Sequence, residues 1–441
     1  MRRLFFGITL ILCMVITGCS NPSSQISSFV PSDNMGNPAT TPSITPTDVA
    51  RVQMPGSLLQ NLLAEHDLAY PDPFSQEYPD VLTVPVMVHY SSDFLYYRSY
   101  EEMPFVGEKH PMTMPEKLHE TLYKYNLSTG EKIRIGDVSL SGYSSGEFLF
   151  TEDAYYMFPA SLEQGSLMLQ IKALNLGSGE LQEITRIENG EIYVSSAQTG
   201  NGACAFLVRV TDDKRTSQRL YVLNTDRELH IIYDSALINL TSPEFSTLYA
   251  GSETLYLLRQ KEKAGRLVTE VVEMDLSGVV LRTISLPGLQ EYSDSDYFAD
   301  KLYVTGDYIF VKWYYCGEQL PYFSAFKLID GKASSVFVPK NTPCYLLNEK
   351  PVDNRYLLFS AFPNDMDYTT NSYTSHLYVF DTMYDRFTGI SLPLVADVVF
   401  NDIVCNENGD IIMNVVETKD AQSKPQKRTI RIDFNDLKSL L

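Results

Sequence analysis

Side chains able to do chemistry are sparse in this chain, and the first to test is Ser144. Residues 139–150 read SLSGYSSGEFLF, and GYSSG satisfies G-x-S-x-G. That spacing puts a nucleophilic serine on a sharp strand-to-helix turn, with an acid and then a histidine further along the chain. Nothing after residue 146 alternates strand and helix patterns, so Ser144 reads as a serine in a glycine-rich turn between strands. Histidines number six. His110 and His119 fall in the loop stretch 101–119 with Glu108 and Glu120 close by, but their spacing fits no metal-ligand template. In SDSDYFAD, 293–300, Asp294, Asp296 and Asp300 have the oxygen-rich spacing that suits calcium. The glycine and closing glutamate of a calcium loop are absent there, and the acidic stretch NDMDYTTN, 364–371, is no better. The sequence thus assigns no catalytic residue, no metal ligand and no cofactor.

The elements that would position any site follow from self-similarity at long range. A five-residue pattern, mostly alternating in polarity and usually closing on Asn or Asp, starts at Leu122, Ile171, Leu220, Val271, Phe323, Leu377 and Thr429. The copies read LYKYN, IKALN, LYVLN, VVEMD, FSAFK, LYVFD and TIRID, at intervals of 49, 49, 51, 52, 54 and 52 residues. FSAFK is the weakest, because its acidic turn residue arrives late, at Asp330. A Gly- or Asp-containing turn and another β-rich segment follow most copies. Before each copy lies an aromatic and β-branched run such as AYYMF, AFLVRV or YIFVKWYY, preceded by a further short strand. About four short strands per period is one blade of a β-propeller. A helical solenoid would show a 3.6-residue period instead. The expected fold is all-β: a seven-bladed propeller of four-stranded antiparallel blades over 81–441. Ser57–His66, SLLQNLLAEH, reads as a short helix with Ser57 as N-cap, leading in over 57–80. The ring closes either through Leu437–Leu441 or through VLTVPV at 81–86. The propeller also leaves no room for the separate hydrolase domain that propeller-bearing serine peptidases carry.

The N-terminus is of a different kind. Arg2 and Arg3 precede an apolar run, Leu4 to Thr17, which is the layout of an export signal and shorter than a spanning helix needs. Ile16-Thr17-Gly18-Cys19 resembles the lipobox of bacterial lipoproteins. The resemblance implies cleavage after residue 18, a diacylglycerol thioether on Cys19 and attachment to a membrane by acyl chains rather than by a span. Residues 20–56 are rich in Ser, Thr, Pro and Asn and read, with Cys19, as a disordered tether over 19–56.

Charge narrows the partners. With 55 acidic against 35 basic side chains the chain carries −20, and such a surface repels phosphate backbones, so nucleic acid is excluded. No repeated Trp-Asp pair, kelch double glycine or sialidase-type Asp box occurs. The body therefore resembles, in architecture alone, the loosely defined bacterial propellers that include TolB-like, YncE-like and BamB-like proteins. Those relatives mostly act as binding scaffolds, and the resemblance implies an extracytoplasmic, lipid-anchored protein of the cell envelope that recognises a protein or glycan. An envelope enzyme acting on polysaccharide is the alternative.

Binding residues are expected on the face that carries the inter-blade connections and the loops between second and third strands, namely 101–119, 210–218, 314–321 and 362–375. The aromatic- and acid-rich stretches 313–323 and 362–375 supply Tyr314, Tyr315, Tyr368, Tyr373, Asp365 and Asp367 as candidates, since tyrosines offer large contact area at low entropic cost. Cys316 and Cys344 fall at that face on neighbouring blades and form a candidate disulfide, although four body cysteines allow three pairings. Cys204 and Cys405 belong to distant blades and are expected to be buried singly.

Overall fold

The computed structural model describes residues 50–61, 86–91, 93–102, 119–138, 143–212, 215–237, 245–263, 266–287, 297–315, 322–336, 344–346, 352–361, 376–392, 399–417 and 426–441. These residues form seven small antiparallel sheets arranged as the blades of a β-propeller. Blades one to five each use four consecutive strands, beginning at Val86–Tyr90, Tyr143–Phe150, Gly190–Gln198, Phe245–Ala250 and Tyr297–Thr305. Blade six begins at Cys344–Leu346 and blade seven at Val399–Cys405.

All seven copies of the repeat lie in or at the end of a third strand, and the structure explains why they close on Asn or Asp. The Asn126 side-chain oxygen accepts the Ser128 and Thr129 amides, both at 2.9 Å. Asn175 does the same for Gly177 and Ser178 at 2.9 and 2.8 Å, and Asp275 for Ser277 and Val279 at 2.9 Å each. Asn224 and Asp381 each take one such amide, from Glu228 and Met383. A short side chain that mimics a backbone turn suits these two residue types. FSAFK departs because blade five turns through Asp330 and Gly331, both with positive φ (50° and 76°), the type I′ turn that Asp-Gly favours. In the last copy Asp433 accepts the Asn435 amide at 2.8 Å and caps a short helix, Phe434–Lys438, instead of turning into a fourth strand.

No single core fills the molecule. Seven clusters of buried side chains occupy the seven junctions between neighbouring blades. Along one second strand Cys204, Phe206 and Val208 pack toward blade two while Ala205 and Leu207 pack toward blade four. Strands buried on both faces read as continuous apolar runs, which accounts for AFLVRV and AYYMF. A fully buried Gln218 stitches one junction: its side-chain amide donates to the Phe245 carbonyl and accepts the Phe245 amide at 2.7 Å.

Ring closure departs from expectation. Blade seven takes its fourth strand from Gln60–Asn61, antiparallel to Ile430 and Arg431. Ala50–Gln53 adds a fifth strand to blade six, parallel to Thr388–Ser391. Met54 between them is 1% exposed in the junction of blades six and seven, so one N-terminal segment clips two blades at their outer edges. Residues 50–56, expected to belong to the tether over 19–56, are therefore part of the fold, and the propeller begins before residue 81. The helix expected at 57–66 is a 3₁₀ turn over Gly56–Leu58 with Pro55 at its N-cap, followed by that strand. Leu437 is a buried residue of the final helix itself, so Leu437–Leu441 adds no strand. Among the described residues no helix is long and apolar enough to cross a membrane.

Candidate functional site

The inner strands position the site, and they are irregular. In six blades the inner hairpin slips register, between Met87 and His89, Ser144 and Phe148, Gly190 and Val194, Phe245 and Thr247, Ala299 and Lys301, and Phe400 and Asp402. A bulge on a strand re-aims the side chains beside it. In blade two it carries Glu147, and in blade five it immediately precedes Lys301. These two meet at 2.6 Å. Their strands belong to non-adjacent blades, so the ion pair spans the central channel. The side chains are 23% and 30% exposed.

Where the inner strands of blades two to five turn into their second strands, they enclose a cavity of about 460 Å³. Tyr249, Tyr256 and Tyr303 form one wall, with ring centroids 6.5 Å apart for Tyr249–Tyr256 and 6.0 Å for Tyr249–Tyr303. Phe150 lines the other side, held by His89 stacked on it at 4.3 Å and by Tyr96 at 4.7 Å. The rim is fixed by backbone bonds between the turns of blades three and four, Gly200 N to Gly251 O at 2.9 Å and Asn201 N to Ser252 O at 3.1 Å. Ser195 is engaged with Thr247 Oγ1 at 3.1 Å and with the Leu248 amide at 3.2 Å. The buried hydroxyls of Ser196 and Thr305, also in the lining, have no hydrogen-bond partner among the described residues, and such groups call for a water or a ligand.

The electrostatics of the cavity are mild. Lys301 in the lining is paired with Glu147, and the other polar groups among the described lining residues are hydroxyls, amides and backbone. The strongly shifted phenols lie elsewhere: burial pushes Tyr90 and Tyr155 up to about 12, and both belong to junction cores. Aromatic walls with a few fixed neutral polar groups suit an uncharged, hydroxyl-rich ligand.

The sequence-predicted candidates are not gathered here. Tyr314 and Tyr315 end the second strand of blade five, paired with Phe298 and Tyr297 at the opposite end of the hairpin from Leu302–Gly306. Cys344 opens the inner strand of blade six, opposite Ala361. Cys19, Cys316, Asp365, Asp367, Tyr368, Tyr373, His110, Asp294 and Asp296 lie outside the described residues. His119 and Asp300 lie in strands rather than loops, within His119–Asn126 and Tyr297–Thr305. Ser144 also sits in a strand, opposite Pro159. It was expected in an inter-blade loop, and among the described residues strand Tyr143–Phe150 leads into another strand, not a helix. The stretch 210–218 is no loop either, because Asp212 pairs with Arg215 and only two residues connect the strands. Cys204 and Cys405 are buried free thiols.

The cavity residues were missed because they lie in short strands that carry no motif. A signal existed in LYAGSETLY (248–256) and LYVTGDYIF (302–310), where Leu-Tyr precedes a glycine turn in adjacent repeats.

No family model matches the chain, and no curated protein matches it. Among solved structures it is similar to the β-propeller domain of the Trilobed protease from Pyrococcus furiosus, at 14% identity and a TM-score of 0.41, over 62% of this chain and 77% of that one. It is also similar to the Pyrococcus horikoshii acylaminoacyl peptidase (13%, TM-score 0.39, 63% of this chain) and covers 45% of that enzyme, less than half its length. The polysaccharide lyase Uly1 is similar at 8% identity and a TM-score of 0.43, over 79% and 89% of the two chains.

Proposed function

We propose that this chain is a non-catalytic binding protein of the bacterial cell envelope, held outside the cytoplasm by lipid on Cys19, and that the central cavity takes the end of a neutral glycan. The observation that carries the reading is the lining itself: three tyrosine rings beside the unsatisfied hydroxyls of Ser196 and Thr305. Sugar rings present apolar C–H faces for aromatic walls and hydroxyls for fixed polar groups. The −20 charge of the chain disfavours a polyanion at this site and is consistent with a ligand that brings no charge. The propeller supplies rigidity, since the inner strands of the blades other than blade six send side chains into two junction cores.

A glycan array probed with the full chain tests this directly. Saturable binding to neutral glycans that is lost in Tyr249→Ala and Tyr303→Ala supports it, provided both variants keep the wild-type circular dichroism. A silent array, together with a protein partner recovered reproducibly from envelope extracts, would replace the glycan with a protein. Shortening of a bound glycan on incubation would turn the reading into the enzyme alternative, with Glu147 the first carboxylate to replace. For the anchor, Cys19→Ser is expected to move the protein from the membrane fraction to the soluble one.

A further inference from the structure

A second cavity, of about 410 Å³, opens between blades two and three, within the roughly 300–1,000 Å³ range of small-molecule sites. It lies at the end where the chain passes from one blade to the next, opposite the end that holds the tyrosine cavity. Basic side chains are prominent in its lining. One wall is the third strand of blade three, where alternation brings Arg215, Ser217, Arg219 and Tyr221 to one face. The other wall is the end of the fourth strand of blade two, with Arg186 and Asn189. Three arginines thus converge in a chain with 20 more acidic than basic side chains.

Two of the arginines, Arg186 and Arg219, are held in place, and Arg186 also reaches Glu163 through Nη1 at 3.5 Å. Glu183 bonds Arg186 Nε at 2.7 Å, and Asp234 bonds Arg219 Nε at 3.0 Å. Carboxylates gripping a guanidinium through Nε fix the plane of a group that carries five donors in a rigid fork. Asn189 is fixed as well, in the left-handed region at φ 56°, with its backbone bonded to Leu167 and Thr211 at 2.7 and 2.9 Å. Ser217 and Tyr221 are both at least nine-tenths buried. Glu188 also lines the cleft, and it sets the ligand class: it repels a compact polyanion but accepts hydrogen bonds from hydroxyls.

We infer that the cleft between blades two and three is a binding site for a small carboxylate-bearing, hydroxyl-rich molecule of the sugar-acid type. The carboxylate takes the arginine forks, whose planar geometry matches its two oxygens. The ligand's hydroxyls face Glu188, Asn189 and the hydroxyls of Ser217 and Tyr221. This site stands apart from the tyrosine cavity and does not depend on what that cavity binds.

Titration calorimetry of the full chain with glucuronate and galacturonate, against glucose and inorganic phosphate, tests the assignment. At least one uronate is expected to bind saturably and glucose and phosphate not to. Arg215→Gln should weaken uronate binding about tenfold or more, the usual consequence of losing a charge-assisted bond. Arg215→Lys should retain part of the affinity, and Tyr303→Ala should leave it unchanged. Arg186→Gln, at a half-exposed position, supplies a second variant should Arg215→Gln unfold. The inference is overturned if neither uronate binds, if phosphate binds equally well, or if affinity survives the loss of both Arg186 and Arg215. Uronate binding abolished by Tyr303→Ala alone would also overturn it, by moving the ligand to the other cavity.

Discussion

In the turns after the third strands, Asn126, Asn175 and Asp275 accept backbone amides with the same atoms in the same geometry. Along the inner strands, the residue that follows each one-residue bulge is His89, Thr247, Lys301 or Asp402. Both regions recur once per blade, yet one conserves its chemistry from blade to blade and the other varies it. The difference lies in what each position has to do. A turn must satisfy local backbone groups, and an Asn or Asp side chain does so in five blades, the exceptions being the type I′ turn of blade five and the helix cap of blade seven. An inner strand faces a shared channel, where seven different side chains can divide the roles of one site. Repetition in the sequence therefore marks the scaffold, and departure from it marks the place to look for function.

Perturbing the two regions should separate them. The largest effect is expected at the turn glycines that meet the neighbouring blade. A Cβ at Gly278, at φ 91°, would fall 2.3 Å from the Ile232 carbonyl oxygen, and one at Gly179 would meet Ile135 at the same distance. Gly278→Ala should cost about 3 kcal/mol from strain and overpacking together, read as a lowered denaturation midpoint with ligand affinity per folded molecule unchanged. A smaller loss is expected for Gln218→Leu, about 2 kcal/mol, because the Phe245 backbone groups lose their partners in a buried junction. A wild-type midpoint in that variant would mean that the junction closes without the clasp.

At the channel, Lys301→Met removes the bond from Lys301 to Glu147. With both side chains about a quarter exposed, the stability cost should be about 1 kcal/mol or less after solvent screening. Its effect on binding at the tyrosine cavity should exceed its effect on stability. Asn175→Ala should cost about 1 kcal/mol or less for one lost turn bond network, with no change in binding; an equal loss of affinity there would undo the division between scaffold and site.

The smallest effect is an acid-side one. Asp275 is held below the usual carboxylate range, first by its bond to the Ser277 hydroxyl and then by the Val279 amide. A depressed carboxylate contributes stability above its unfolded pKa and loses it as pH falls through the folded value. Asp275→Asn should therefore flatten the acid limb of the stability profile below about pH 4 and leave the neutral region nearly unchanged. A limb as steep as wild type would assign the acid sensitivity to other groups, Glu270 among them, where burial is overcome by bonds from Lys261 and Arg259.

The seven-fold repeat, the four strands per blade and the two-faced apolar runs were legible because they answer local demands. Alternation, turn chemistry and burial on both faces of a strand all leave periodic marks. The late acidic residue at Asp330 was visible too, and the type I′ turn gives its reason. Ring closure was not legible: Gln60–Asn61 and Ala50–Gln53 carry little apolar pattern, since each forms an edge with only one neighbouring strand. The stretch 210–218 misled because a run of polar residues looks like a loop, whereas Ser217 and Gln218 are buried in a strand.

By itself, then, the sequence determined an all-β chain of seven similar units, a strongly acidic one whose Ser144 lacks the surroundings of a nucleophile. Only the tertiary structure decided which residues meet. Glu147 and Lys301 are 154 positions apart, Tyr249 and Tyr303 come from different blades, and Arg186 faces Arg215 across a junction. A propeller brings equivalent positions of distant repeats to one axis and adjacent repeats to one cleft, and no linear spacing records either encounter.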